Sequence, residues 1–197
     1  RACPERENTL REVCMTDFHF QLTDEEKTYL KTLVTKSIGH RLGLTPAPDM
    51  HPVSDKLKEQ YGAFVTLNED GQLRGCIGYI VGQGPLFETI AKMALAAAFE
   101  DPRFVPVGPE EYDRLKVEIS ILSPLEKVPD VSSIVVGTHG LYMKKGNRSG
   151  LLLPQVATQW GWDRKILLTQ TCVKAGLPTD AWKDPKTEIY WFQAEVF

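Results

Sequence analysis

The stretch Tyr61-Gly-Ala-Phe-Val-Thr-Leu67, Asn68-Glu-Asp-Gly71, Gln72-Leu-Arg-Gly-Cys-Ile-Gly-Tyr-Ile80 decides the fold class. Two runs carrying β-branched and aromatic residues flank Asp70-Gly71, a dipeptide that supplies positive φ in a tight turn, so a β-hairpin is expected. Before it, Thr23-Asp-Glu-Glu26 fits a capping box ahead of Leu30, Leu33, Val34 and Ile38, predicting a helix to about Gly39. Pro46, Pro48 and Pro52 then forbid a continued helix and send the chain across the surface. After the hairpin, Gly84-Pro85 starts a helix to about Glu100 with Pro85 in its first position, and Asp101-Pro102 stops it. Leu115 to Leu122 sets apolar residues against Lys116, Glu118 and Ser120, the pattern of a half-buried strand. His139 to Lys145 and Ser149 to Leu153 read as a second hairpin. Pro154 opens a short helix, and Asp163 caps another with Ile166, Leu168 and Cys172 turned inward until Gly176-Leu-Pro178. A final strand covers about Thr187 to Phe197. Antiparallel hairpins with helices between them, and no run of regular βαβ units, predict an α+β fold.

Composition sets the outer limits. A chain of 197 residues, 42% hydrophobic and 25% charged, has the make-up of a folded globular protein and room for one substantial domain or two small ones on a shared core. The net charge of −3, with no long block of one sign, gives no bulk attraction to nucleic acid or an anionic membrane. Ile90 to Phe99 is the longest apolar stretch; it contains Lys92 and is too short to span a bilayer. Arg1 to Asn8 carries no apolar signal core, so the cytoplasm is the expected location. Cys3, Cys14, Cys76 and Cys172 are widely spaced and read as reduced thiols. Phosphate-binding glycine loops, the Gly-x-Ser-x-Gly elbow, His-Glu-x-x-His, paired-cysteine zinc spacing and a cysteine triplet are all missing, so no metal or cofactor is expected.

Chemistry concentrates in Leu73-Arg-Gly-Cys-Ile-Gly78. Two glycines inside a strand are kept for close backbone approach or a bulge. Arg74 and Cys76, two apart, would share a face, where the guanidinium would favour a thiolate nucleophile. The other reading is an inert, packed cysteine. Glu118 points either to solvent or into a cleft. His139, at a strand start, is either an acid/base group or a hydrogen-bonded core residue. Gly150-Leu-Leu-Leu-Pro154-Gln155 enters a helix whose first amides are open to an anion, to water or to a neighbouring carbonyl. Trp160, Trp162, Trp182 and Trp191 crowd the last third of the sequence, as packing or as a stacking surface.

Six ordered motifs, Leu73-Arg-Gly-Cys-Ile-Gly78, Asp101-Pro-Arg-Phe104, Val117-Glu-Ile-Ser-Ile-Leu-Ser-Pro124, His139-Gly-Leu141, Gly150-Leu-Leu-Leu-Pro-Gln-Val-Ala157 and Lys174-Ala-Gly-Leu-Pro178 with Trp182, resemble the AMMECR-type domain family, also called AmmeMemoRadiSam system protein A. The resemblance runs from about Leu22 to Phe197 and leaves residues 1–21 as a tail outside it. It implies an α+β fold of two unequal, interleaved subdomains, with Arg-Gly-Cys-Ile-Gly lining a cleft between them. It also implies possible partners acting in trans: a Memo-type protein and a radical S-adenosylmethionine enzyme. Two functions follow as expectations. In the first, an enzyme uses Cys76 as nucleophile or acid/base, His139 as proton carrier and Glu118 as its orienter or second base, with Arg74, Gly75, Gly78 and Gln155 binding a small, anionic substrate. In the second, the chain is a non-catalytic ligand-binding or adaptor protein that docks those partners.

Overall fold

The computed structural model describes residues 20–197. Its first helix, α1 (Asp24–Arg41), opens on the expected capping box: Glu26 N–H donates to Thr23 Oγ1 at 3.2 Å, and Thr23 N–H donates to the Glu26 carboxylate at 2.7 Å. The hairpin follows as β1 (Gly62–Glu69) and β2 (Gln72–Tyr79), closed by Asp70 and Gly71 at φ 49° and 77°, the two positive values that a tight two-residue turn demands. Next come α2 (Leu86–Phe99), β3 (Lys116–Leu122) and the short β4 (Glu126–Lys127). The remaining elements are β5 (Gly140–Lys145), β6 (Arg148–Leu152), α3 (Pro154–Gln159), α4 (Arg164–Lys174), β7 (Glu188–Phe192) and β8 (Ala194–Val196).

The strands form two antiparallel sheets, ordered β2-β1-β3-β8 and β4-β7-β5-β6, so the fold is α+β. Alternation assigns the faces. In the first sheet Ala63, Val65, Leu67, Ile119 and Ile121 are fully buried in a cluster with Leu30, Val34, Ile90 and Met93 of α1 and α2. Residues 64, 66, 118 and 120 take the opposite face, turned away from α1 and α2. In the second sheet Leu141, Met143 and Ile189 pack with Leu167, Leu168 and Cys172 of α4. Leu122 and Phe192 are buried but belong to neither cluster.

Three expectations need correction. The single last strand is broken at Gln193: β7 pairs with β4 and β5 in one sheet, and β8 pairs with β3 in the other. Two segments therefore cross between the sheets side by side, tied where Ser123 N–H donates to Gln193 O and Gln193 N–H to Ser123 Oγ, both at 2.9 Å. Pro85 caps α2 and does not begin it, because its ψ of 138° is extended. Ile166 faces out of α4; Leu167, Leu168, Thr171 and Cys172 are the buried set.

Candidate functional site

The hairpin register decides where the cysteine points. A simple two-residue turn with Glu69 opposite Gln72 would set Cys76 against Val65, on the helix-packed face. Instead the register shifts between Leu67 and Asn68, whose partners are Gly75 and Leu73, and Arg74 is the extra residue of a β-bulge. That one-residue slip turns Cys76 onto the face away from α1 and α2. There it is half-buried opposite Thr66, which is in turn opposite Glu118 on β3. Cys76, Thr66 and Glu118 form one row across three strands, and Thr66 Oγ1 donates to Cys76 Sγ at 3.3 Å. Glu118 is half-buried and makes no hydrogen bond or ion pair among the described residues. The next row is Gly78, Phe64 and Ser120; Ser120 is 1% exposed, and its Oγ has no hydrogen-bond partner among the described residues.

The open edge of β2 is closed at Cys76 by two side chains. Asp101, 4% exposed, accepts Cys76 N–H at 2.9 Å, and Arg103 Nη2 donates to Cys76 O at 3.2 Å. The two residues thus imitate a neighbouring strand. They also bind each other: Arg103 Nε and Nη2 donate to the Asp101 oxygens at 2.9 and 2.6 Å. Those guanidinium hydrogen bonds, against the opposing effect of burial, hold the Asp101 carboxyl well below the usual carboxylate range. The Arg103 side chain remains 50% exposed. The sequence assigns neither residue a site role, although Asp101-Pro-Arg-Phe104 reads both as a helix stop and as one of the six family motifs. The available signal was an acid and a base two apart beside a strand with an open edge.

Arg74 is committed elsewhere. The bulge directs it to Glu111, which accepts from Nε at 2.5 Å and from Nη2 at 3.1 Å, while Nη2 also donates to Val105 O at 2.9 Å. Its guanidinium lies 5.9 Å from the Phe104 ring, which Arg103 approaches at 5.4 Å. The carboxylate that pairs with Arg74 is therefore Glu111, and Arg74 makes no contact with Glu118 among the described residues. Gly75 faces α2, where a Cβ would stand 2.1 Å from Ala97 O; the Phe64 ring fills the side-chain space of Gly78. Gly75→Ala is expected to destabilise the protein by about 1–3 kcal/mol through overpacking against helix backbone, measured as a lower denaturation midpoint with unchanged slope.

His139 stands apart from the Cys76 row, just before β5 of the other sheet. It is 2% exposed, its ring lies 4.5 Å from that of Trp191, and its Nδ1 accepts Val135 N–H at 3.1 Å. That acceptor role places the ring proton on Nε2, and burial, partly opposed by the Glu126 charge, holds the imidazole below its ordinary pKa. His139 is therefore a neutral, hydrogen-bonded core histidine, with no hydrogen bond or ring contact to Cys76 or Glu118 among the described residues. Gln155 lies in the first turn of α3, which packs on β5, and its Oε1 is buried without a partner among the described residues. A pocket of about 330 Å³ opens between Phe20–Leu22, Lys27 and Gln193–Glu195. It borders β8, at the opposite edge of the sheet from Cys76, and is lined by no nucleophile. Cys3 and Cys14 lie outside the described residues; Cys76 and Cys172 are free thiols. No group of residues able to hold a metal occurs among the described residues, and no helix among them is long and apolar enough to cross a membrane.

Fold and site together define a two-sheet α+β protein that presents a half-buried cysteine and an unpaired carboxylate on the sheet face turned away from α1 and α2. Residues 31–197 match the AMMECR1 family, and the chain belongs to that family. A protein of Methanothermobacter thermautotrophicus is 48% identical over 180 residues, covering 88% of this chain and 94% of its own. Protein TK0174 of Thermococcus kodakarensis is 44% identical over 192 residues, covering 90% and 92%. The crystal structure of uncharacterized protein PH0010 from Pyrococcus horikoshii superposes with a TM-score of 0.83 at 41% identity, covering 90% of this chain and 93% of that one.

Proposed function

We propose that this chain is an enzyme that uses Cys76 as a nucleophile on a small ligand held in a cleft over the face of the first sheet turned away from α1 and α2. The observation that carries the reading is the setting of Cys76: Thr66 donates a hydrogen bond to its sulfur, and the half-exposed Arg103 guanidinium holds the carbonyl of the same residue. A donor and a cation are what a sulfur needs as it gains negative charge. The sulfur adds to an electrophilic carbonyl-type carbon of the ligand, whose C=O π pair passes to the oxygen, while the thiol proton passes through solvent to Glu118, which stands in the same row without a partner among the described residues. His139 has no part in this scheme. The lack of a hydrogen bond between imidazole and thiol among the described residues favours a second reading, a ligand-binding or adaptor protein docking a Memo-type or radical S-adenosylmethionine partner, because a nucleophilic cysteine commonly borrows an adjacent histidine as base.

Alkylation separates the two. With iodoacetamide, Cys76 of the folded protein is expected to react at least tenfold faster than Cys172, which is fully buried and whose thiol burial pushes up. Glu118→Gln should slow the Cys76 reaction while leaving the far-ultraviolet circular dichroism unchanged. A Cys76 as inert as Cys172 would remove the nucleophile and leave the docking reading, for which co-purification of a partner lost in Arg103→Glu is the matching test.

A further inference from the structure

Resting on that reading of the Cys76 site, we infer that its ligand is a short zwitterion of peptide length, its carboxylate on Arg103 and its ammonium on Glu118, laid across the strands over the sulfur. The two charged side chains flank Cys76 from opposite directions. Arg103 reaches in from beyond the β2 edge, holding the Cys76 carbonyl with Nη2 and leaving Nη1 without a hydrogen bond among the described residues. Glu118 stands two strands away on the other side, with Thr66 between. Strand spacing puts the backbones of Cys76 and Glu118 about 10 Å apart. Opposite charges on the two sides of the sulfur suit a molecule charged at both ends better than a simple anion, which Glu118 would repel.

Size follows from the same spacing. A chain in extended form advances about 3.3–3.6 Å per residue, so a dipeptide or tripeptide covers the interval between two side chains that both reach inward. The free Nη1 of Arg103 gives the carboxylate end a charged donor, and a free carboxylate gives an ammonium its natural acceptor. Ser120, next on the Glu118 face of β3, is 1% exposed and its Oγ has no partner among the described residues, so it is closed to a ligand lying over the Cys76 row. Lys116, two residues before Glu118 on that face, is the other cation on this strand and is exposed. It serves as the control.

Calorimetric titration of the full chain with glycylglycine, N-acetylglycylglycine and glycylglycinamide tests the assignment without requiring any chemistry. Glycylglycine is expected to bind at least tenfold more tightly than either blocked form. Arg103→Gln should erase the advantage over the amide, Glu118→Gln the advantage over the acetylated form, and Lys116→Ala should change neither. Equal affinities for the three compounds in the unaltered protein, or no heat from glycylglycine, would overturn the inference even if every variant misfolded, as would loss of selectivity in Lys116→Ala alone. An unreactive Cys76 together with selective glycylglycine binding would refute the nucleophile and keep the zwitterion site. A reactive Cys76 with no selectivity would do the reverse.

Discussion

Arg74→Ala is expected to lower the stability of the protein by about 3–5 kcal/mol, the usual cost of removing one partner from a buried ion pair. The pair is well enclosed: side-chain exposures are 10% for Arg74 and 16% for Glu111. Deleting the guanidinium strands the Glu111 carboxylate, which retains the Gly108 N–H at 2.7 Å, and leaves Val105 O without its side-chain donor. Chemical denaturation measures the loss. The pH dependence gives a second readout, because the hydrogen bonds from Arg74 hold the Glu111 carboxyl below its ordinary pKa. A depressed carboxyl contributes stability that is present above its unfolded pKa, about 4.3, and is lost as pH falls through the folded value. In Arg74→Ala that part of the acid destabilisation should shrink. A variant of unchanged midpoint would restore Arg74 as a residue kept for ligands.

Asp101→Ala comes next, at about 3 kcal/mol. It strands Cys76 N–H at the sheet edge and frees the Arg103 guanidinium, whose half exposure limits the cost because water can take over its hydrogen bonds. Asp101→Asn should cost less, since an amide oxygen still accepts the Cys76 N–H. The depressed Asp101 carboxyl carries the same sign as Glu111: its contribution persists above about pH 3.9 and fades as the solution becomes more acidic. Equal losses for the alanine and asparagine variants would show that the charge pair, and not the edge hydrogen bond, carries the effect. Faster alkylation of Cys76 in Asp101→Ala is the accompanying expectation, as β2 loses its side-chain edge at that residue.

Local chemistry made most elements legible in the sequence. The capping box, the Asp70-Gly71 turn, the alternation of β3 and the Asp163 cap each act within a few residues, and each appears in the fold. What escaped depends on distant partners. The Gln193 break has no glycine or proline to announce it; it arises because residues on either side find strands in different sheets. The bulge at Arg74 goes together with its pairing to Glu111, 37 positions away, and it decides the face on which Cys76 emerges. A histidine beside a glycine at a strand start looks the same whether it faces solvent, a ligand or, as His139 does, a tryptophan. Asp101 and Arg103 were visible as residues, but their role depends on the strand edge they cover.

The crossing of two paired segments between the sheets sets an order of events during synthesis. Strand β3 leaves the ribosome long before β8, yet β8 is its neighbour on that side among the described residues. The hairpin, α1 and α2 are already made and able to collapse, while the β3 edge stays bare through the whole of β5, β6, α3 and α4. The second sheet likewise waits for β7 before β4 and β5 can be joined. Neither half closes ahead of the other, so one late segment completes both, and a nascent chain halted before it would present two unfinished edges to its surroundings.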